Sequence, residues 1–204
     1  MQKNQKVVLI TGISGGLGSA IAQEWIKKGF LVAGISRTSP KNFTPHWFFA
    51  GDLTQKETAH KAIEEFQKQF NHLDVLINNA GIGVYDPWEE VEEENLYYEM
   101  ELNFFAVVRL TKKALPLLIE KQGTIINISS VAGKLAMPYM GAYSASKFAL
   151  DAYTQSLRAE LRQAKVKVLG VSPGRISTGF GKNVIGKVKS PSTFAKASAP
   201  HFAK

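Results

Sequence analysis

Short apolar runs rich in β-branched residues alternate along the chain with longer stretches whose apolar residues recur at three- and four-residue spacing. The short runs predict strands over 6–11, 30–35, 46–50, 74–78, 124–128 and 166–171. Between them, helical periodicity predicts a helix over 19–29 that Gly29 closes, and a second from about 54 to 70 with Ala59, Ala62, Ile63 and Phe66 on one face. A long helix follows over 89–122, acidic at its start and basic later, which suits its macrodipole. Leu102, Phe105, Ala106, Leu110 and Ala114 form its stripe, and Pro116 predicts a bend. The last helix begins near Gly141 and runs to about 164. Strands that alternate with helices argue for an α/β fold with a doubly wound parallel sheet of about six strands.

Length and charge narrow the classes. The 204 residues suit one well-buried domain, and no internal repeat or linker divides them. With no cysteine there is neither a disulfide nor a thiolate nucleophile, and His46, His60 and His72 have no acid at metal-ligand spacing, so no metal is expected. The first residues carry no signal-like apolar stretch and no run reaches membrane-spanning length, so the expectation is a soluble, cytoplasmic protein. The net charge of +8 comes mostly from the end of the chain. Six of the 25 basic residues and no acidic ones follow from Arg175, which leaves 19 basic against 17 acidic before it. The body is nearly balanced, and the basic end reads as a solvated tail rather than a nucleic-acid arm.

Two stretches carry candidate chemistry. The first strand runs into Gly12-Ile-Ser14-Gly15-Gly16-Leu17-Gly18 and then a helix. A glycine turn there either makes a tight connection or lets backbone amides and a helix N-terminus receive a pyrophosphate. The second strand ends in Ser36-Arg37, where an acidic residue would select NAD and an arginine accommodates a 2′-phosphate, so the reading favours NADP(H). Asn79-Ala80-Gly81 follows the fourth strand at the same sheet edge. The second stretch is Tyr143-x-x-x-Lys147, which sets a phenol and an ammonium on one helical face. A cation there is expected to bring the phenol down from ~10 by about 1 to 3 units.

Taken in order, Thr11-Gly-x-x-x-Gly-x-Gly18, Asp52-Leu53, Asn78-Asn-Ala-Gly81, Asn103, Ser130, Tyr143-x-x-x-Lys147 and Pro173-Gly174 resemble the short-chain dehydrogenase/reductase family over about residues 6–178. The resemblance implies a Rossmann-type sheet and hydride exchange between a nicotinamide and a carbonyl or secondary alcohol. It makes Tyr143 the general acid/base, and Lys147 a modulator of that phenol and a holder of the nicotinamide ribose. Ser130 then steadies the substrate oxygen, in preference to Ser129, and Asn103 holds a water in a relay to Lys147. Asp52 and Leu53 would flank the adenine, with Ile176 and Thr178 on the carboxamide and pyrophosphate side.

Residues 1–178 are therefore expected to form the catalytic domain. Residues 179–204 read as a short basic tail in place of a substrate-covering region, C-terminal helix and seventh strand. That shortness keeps open a cofactor-binding regulatory or scaffold role without turnover. The favoured partners are a largely apolar carbonyl or alcohol, walled by residues 135–140, Tyr85 and Trp88, and a second copy of the chain. Phe104, Phe105 and Val108 on one helix, and Phe148, Leu150 and Tyr153 on another, are the expected homo-oligomer contacts.

Overall fold

A computed structural model describes residues 5–187. Six strands, β1 (Val7–Thr11), β2 (Leu31–Ser36), β3 (Trp47–Ala50), β4 (Val75–Asn78), β5 (Thr124–Ile128) and β6 (Lys167–Val171), form one parallel sheet in the order β3-β2-β1-β4-β5-β6. The order reverses between β1 and β4, and the crevice beyond the carboxyl ends of strands at such a reversal is where open α/β sheets bind ligands.

Burial explains why β1 is apolar at every position: alternate side chains enter different cores. Val7 and Leu9 join a cluster with Phe66, Leu110, Ala114 and Leu157 from helices α2 (Lys56–Gln69), α4 (Ala106–Lys121) and α5 (Gly141–Glu160). Val8 and Ile10 point to the opposite face, toward Ala22 and Trp25 of helix α1 (Gly16–Lys27). Both faces are covered there, as a parallel sheet requires.

Three expected elements differ in detail. Helix α1 starts at Gly16, so Gly16 and Gly18 belong to its first turn rather than to a loop before it. The long helix expected over 89–122 is a short 3-10 turn at Trp88–Glu90, then helix α3 (Glu93–Met100), a π turn at Glu101–Phe105, and α4. Pro116 lies inside α4, and the departure from regular helix falls at the π turn, where Ala106 N–H bonds the Glu101 carbonyl five residues back. Such single π turns concentrate at functional sites. Helix α5 stops at Glu160 rather than near residue 164, and the chain then turns into β6 through Lys165 in the left-handed region.

Beyond β6, residues 179–187 fold back over the sheet edge. A 3-10 turn at Phe180–Asn183 leads to Ile185, whose N–H bonds Gly83 O at 2.9 Å and whose carbonyl accepts from Tyr85 N–H at 3.0 Å. Val184 is buried, and Lys187 N–H donates to Asp86 Oδ1 at 2.7 Å. The rest of the expected tail lies outside the described residues. No described helix is long and apolar enough to cross a membrane.

Candidate active site

The β1–β4 junction is held by hydrogen bonds from the loops themselves. Thr11 Oγ1 accepts from Asn79 N–H at 2.9 Å and Ala80 N–H at 3.0 Å, while Asn79 Nδ2 donates to Thr11 O at 3.0 Å. Asn79 thus clamps two strand ends, and Ala80 is close enough that a Cβ on Gly12 would sit 3.0 Å from its Cα. Gly12 also has φ +66, open to glycine at little cost. At Gly18 a Cβ would stand 2.2 Å from Gly12 O, so only glycine lets the helix start this close to the strand.

This packing leaves the start of α1 open. Its N-cap is Gly15, no side chain caps it, its first turn holds no acid, and Ser14, Gly15 and Gly16 are exposed while Leu17 is half-buried. Unpaired amides at a helix N-terminus favour an anion, so these residues fit the diphosphate of a dinucleotide. The segment after β6 closes over the turn: Pro173 O accepts from Val131 N–H at 3.1 Å, and Thr178 packs against Gly16. Gly174 is open on its side-chain side and Ile176 is exposed.

Ser36 ends β2 and Arg37 follows it. Ser36 is buried at the end of β2 and its Oγ donates to Thr38 O at 2.8 Å, so that hydroxyl is engaged locally. Exposed Arg37 reaches Tyr98 Oη at 3.5 Å, and Thr38 Oγ1 lies 3.5 Å from Ser14 Oγ. Thr38 and Tyr98 were not singled out from sequence, although both border Arg37. Asp52 Oδ1 accepts from Thr54 N–H at 3.0 Å and Thr54 Oγ1 at 2.8 Å, which fixes its turn, and the carbonyl of buried Leu53 accepts from Arg109 at 3.0 Å.

The four expected catalytic residues converge. Tyr143 and Lys147 are buried on α5, with the Lys147 ammonium 5.7 Å from the Tyr143 ring centroid. Ser130 lies beside the Tyr143 hydroxyl, and its Oγ accepts from Ala132 N–H at 3.1 Å. Ser129 turns away: its Oγ lies 2.8 Å from where a Gly133 Cβ would be, beside Asp151. Asn103 is fully buried in the π turn. Its Oδ1 accepts from Ile82 N–H at 2.9 Å, and its Nδ2 donates to Ile82 O at 2.8 Å and Ser146 Oγ at 3.0 Å. Both donor hydrogens of that side chain are thus engaged, and Oδ1 keeps one lone pair.

Electrostatics differ from the expectation. Burial pushes the Tyr143 phenol up, with Ser130 opposing and Glu99 adding to the rise, and Lys147 is not among the causes that lower it. Lys147 donates to Ile128 O at 3.1 Å, and burial pulls it down to about 8. Sequence reading also missed Glu99, hidden in the acidic run 89–101, although its spacing of four from Asn103 puts both on one helical side. Among the described residues no cluster of His, Cys, Asp and Glu is arranged to hold a metal.

A short-chain dehydrogenase family model matches residues 6–188. The chain belongs to the short-chain dehydrogenase family. Among its relatives are a 3-ketodihydrosphingosine reductase of Bacteroides thetaiotaomicron, 39% identical over 179 residues, and an NADPH-dependent 3-dehydrocapnine reductase of Ornithobacterium rhinotracheale, 38% identical over 199. The matches cover 87% and 91% of this chain, which spans 66% and 69% of those proteins. A solved alcohol dehydrogenase from Thermococcus sibiricus, complexed with 5-hydroxy-NADP, superposes with a TM-score of 0.82 at 27% identity, covering 95% of this chain and 88% of that one. Short-chain dehydrogenases use nicotinamide cofactors, and solved relatives carry NADP in one case and NADH in another.

Proposed function

We propose that the protein is an NADP(H)-dependent oxidoreductase acting on a carbonyl or secondary alcohol of a largely apolar substrate. One observation carries this reading: Tyr143, with Ser130 beside it and Lys147 5.7 Å from its ring, lies on the same sheet edge as an uncapped helix N-terminus. The amides at the start of α1, apart from that of Gly15, which donates to Gly12 O, would hold the diphosphate, with Arg37, Ser14 and Thr38 toward a 2′-phosphate, Asp52 and Leu53 at the adenine, and Ile176 and Thr178 at the far end. Bound there, the nicotinamide supplies or accepts the hydride.

The chain's own residues handle the proton. Burial keeps the Tyr143 phenol protonated at neutral pH, the form that gives a proton to a developing alkoxide in reduction. Ser130 donates a hydrogen bond to the same oxygen and offsets its charge. Lys147, as an ammonium, favours the phenolate left behind and reaches for the ribose. Asn103 fixes the 81–82 loop and, through Ser146, the turn of α5 that bears Tyr143.

The walls suit an apolar ligand. Trp88 and Leu135 are 60% and 63% exposed, Met137 is partly exposed, and Tyr85 and Phe180 rings flank Tyr143 at 5.7 and 6.1 Å. Ligand sites combine such apolar lining with a few placed polar groups. The names of the two reductase relatives make 3-ketodihydrosphingosine and 3-dehydrocapnine the first compounds to test. The regulatory alternative is not favoured, because it has no use for an assembled Tyr143, Ser130 and Lys147. The test follows NADPH oxidation with these ketones and with sugar-like carbonyls. Turnover of the apolar ketones alone supports the reading, and turnover of only the charged or sugar-like ones contradicts it.

A further inference from the structure

Glu99 lies on α3, 0% exposed, close enough to Tyr143 and Lys147 to influence both. One carboxyl oxygen, Oε1, accepts from Val84 N–H at 3.0 Å. The other, Oε2, is buried with no hydrogen-bond partner. A buried carboxyl with an idle oxygen is costly and demands a reason. Val84 itself belongs to the strip 83–85 that pairs with Ile185 and carries Tyr85 onto the Tyr143 ring.

The charged and titratable groups around it come from three directions. Lys147 and Tyr143 on α5 and Tyr85 on the loop after β4 are within electrostatic reach of it, and Asp151, bridged to Lys134, acts on Lys147. Lys147 is the nearby cation whose charge Glu99 feels, although no direct ion pair joins them.

We propose that Glu99 is a positioning residue of the active site: as its buried carboxyl ionises it becomes the counter-charge that keeps Lys147 an ammonium, while Oε1 holds the Tyr85 loop through Val84 N–H. Burial drives the two groups toward each other's range, Glu99 up to about 8 and Lys147 down to about 8, and each one's charge resists the other's displacement. As the pH rises through that range, ionisation of Glu99 retains the proton on Lys147. The catalytic consequence rests on the reductase reading, but the pairing itself does not.

The test is NMR titration of the Lys147 side-chain methylene in cofactor-free protein with labelled lysine, assigned by its loss in Lys147→Met. Glu99→Gln keeps an acceptor for Val84 N–H and removes the charge. The expected result is a fall in the Lys147 midpoint of about one pH unit or more, with the alkaline limb of NADPH-dependent kcat/KM moving down equally. In Lys147→Met the Glu99 carboxyl midpoint rises, a reciprocal reading that stands if Glu99→Gln folds poorly. An unchanged Lys147 midpoint in folded Glu99→Gln, or an unchanged Glu99 midpoint in Lys147→Met, overturns the proposal. Absent turnover in the unaltered protein overturns the reductase reading instead and leaves both midpoint comparisons intact.

Discussion

Asn103 Nδ2 donates to Ser146 Oγ at 3.0 Å, and Ser146 passes the connection on to the carbonyl of Tyr143 at 2.8 Å. The π turn is thereby tied to the helix that bears the proposed acid. Asn103→Ala leaves Ile82 N–H and Ile82 O, both part-buried, and fully buried Ser146 Oγ without their Asn103 partner. We predict a loss of about 3 kcal/mol, since each stranded buried group costs ~1–3, measured by urea denaturation. Ser146→Ala should cost about 1 kcal/mol. An Asn103→Ala midpoint equal to the parent's contradicts this account of the turn.

Arg37 stands exposed beside Ser14 and Thr38 with no acid at the end of β2. We predict that NADPH binds more tightly than NADH. Arg37→Ala should weaken NADPH by about tenfold or more, the value of a charge-assisted hydrogen bond, and leave NADH nearly unchanged. Fluorescence titration of both cofactors measures it, and equal affinities in the unaltered protein count against the 2′-phosphate role.

Glu99 makes stability depend on pH in a definite direction. Its carboxyl is raised from 4.5 to about 8, so between those values the folded chain keeps a proton that the unfolded chain has released. Its contribution is complete at low pH and is lost as the pH rises through about 8. The Tm of Glu99→Gln relative to the parent should therefore climb between pH 5 and pH 8. A difference that stays flat across that interval means the carboxyl titrates normally.

Self-association is the fourth prediction. Phe105 and Phe148 are 46% and 45% exposed on neighbouring helical segments, whereas Leu150, also expected at a contact, is buried in the core, and Tyr153 is half-buried against it. Phe104 and Tyr153 rings meet at 6.2 Å across the pair. We expect a dimer in light scattering at micromolar concentration, and a monomer from the double variant Phe105→Glu, Phe148→Glu. A parent that is already monomeric rules this out.

The sheet was readable because burial on both faces makes each strand a short, nearly continuous apolar run, as in Val7–Thr11 and Val75–Asn78. The glycine turn and Tyr143-x-x-x-Lys147 were readable because their geometry is local, fixed by neighbours in sequence. What depends on folding was not. The π turn hides in an ordinary helical pattern, since the bonds that stabilise it come from Ile82 and Ser146, far along the chain. Spacing reveals Lys147 as a neighbour of Tyr143 but neither its bond to Ile128 O nor the burial that raises the phenol. Glu99 was unreadable among the seven acidic residues of 89–101, since only the fold shows which one is enclosed.

The central claim is that the Tyr143 hydroxyl transfers the proton. It is tested most directly by single-turnover reduction of 3-ketodihydrosphingosine with Tyr143→Phe, saturated with NADPH, against the parent. The variant keeps the ring that packs on Tyr85 and Phe180 and removes only the hydroxyl. We predict unchanged NADPH affinity and a rate lower by about 10²–10⁴, the usual worth of a positioned acid. A parent that turns over while Tyr143→Phe does so at the same rate contradicts the mechanism.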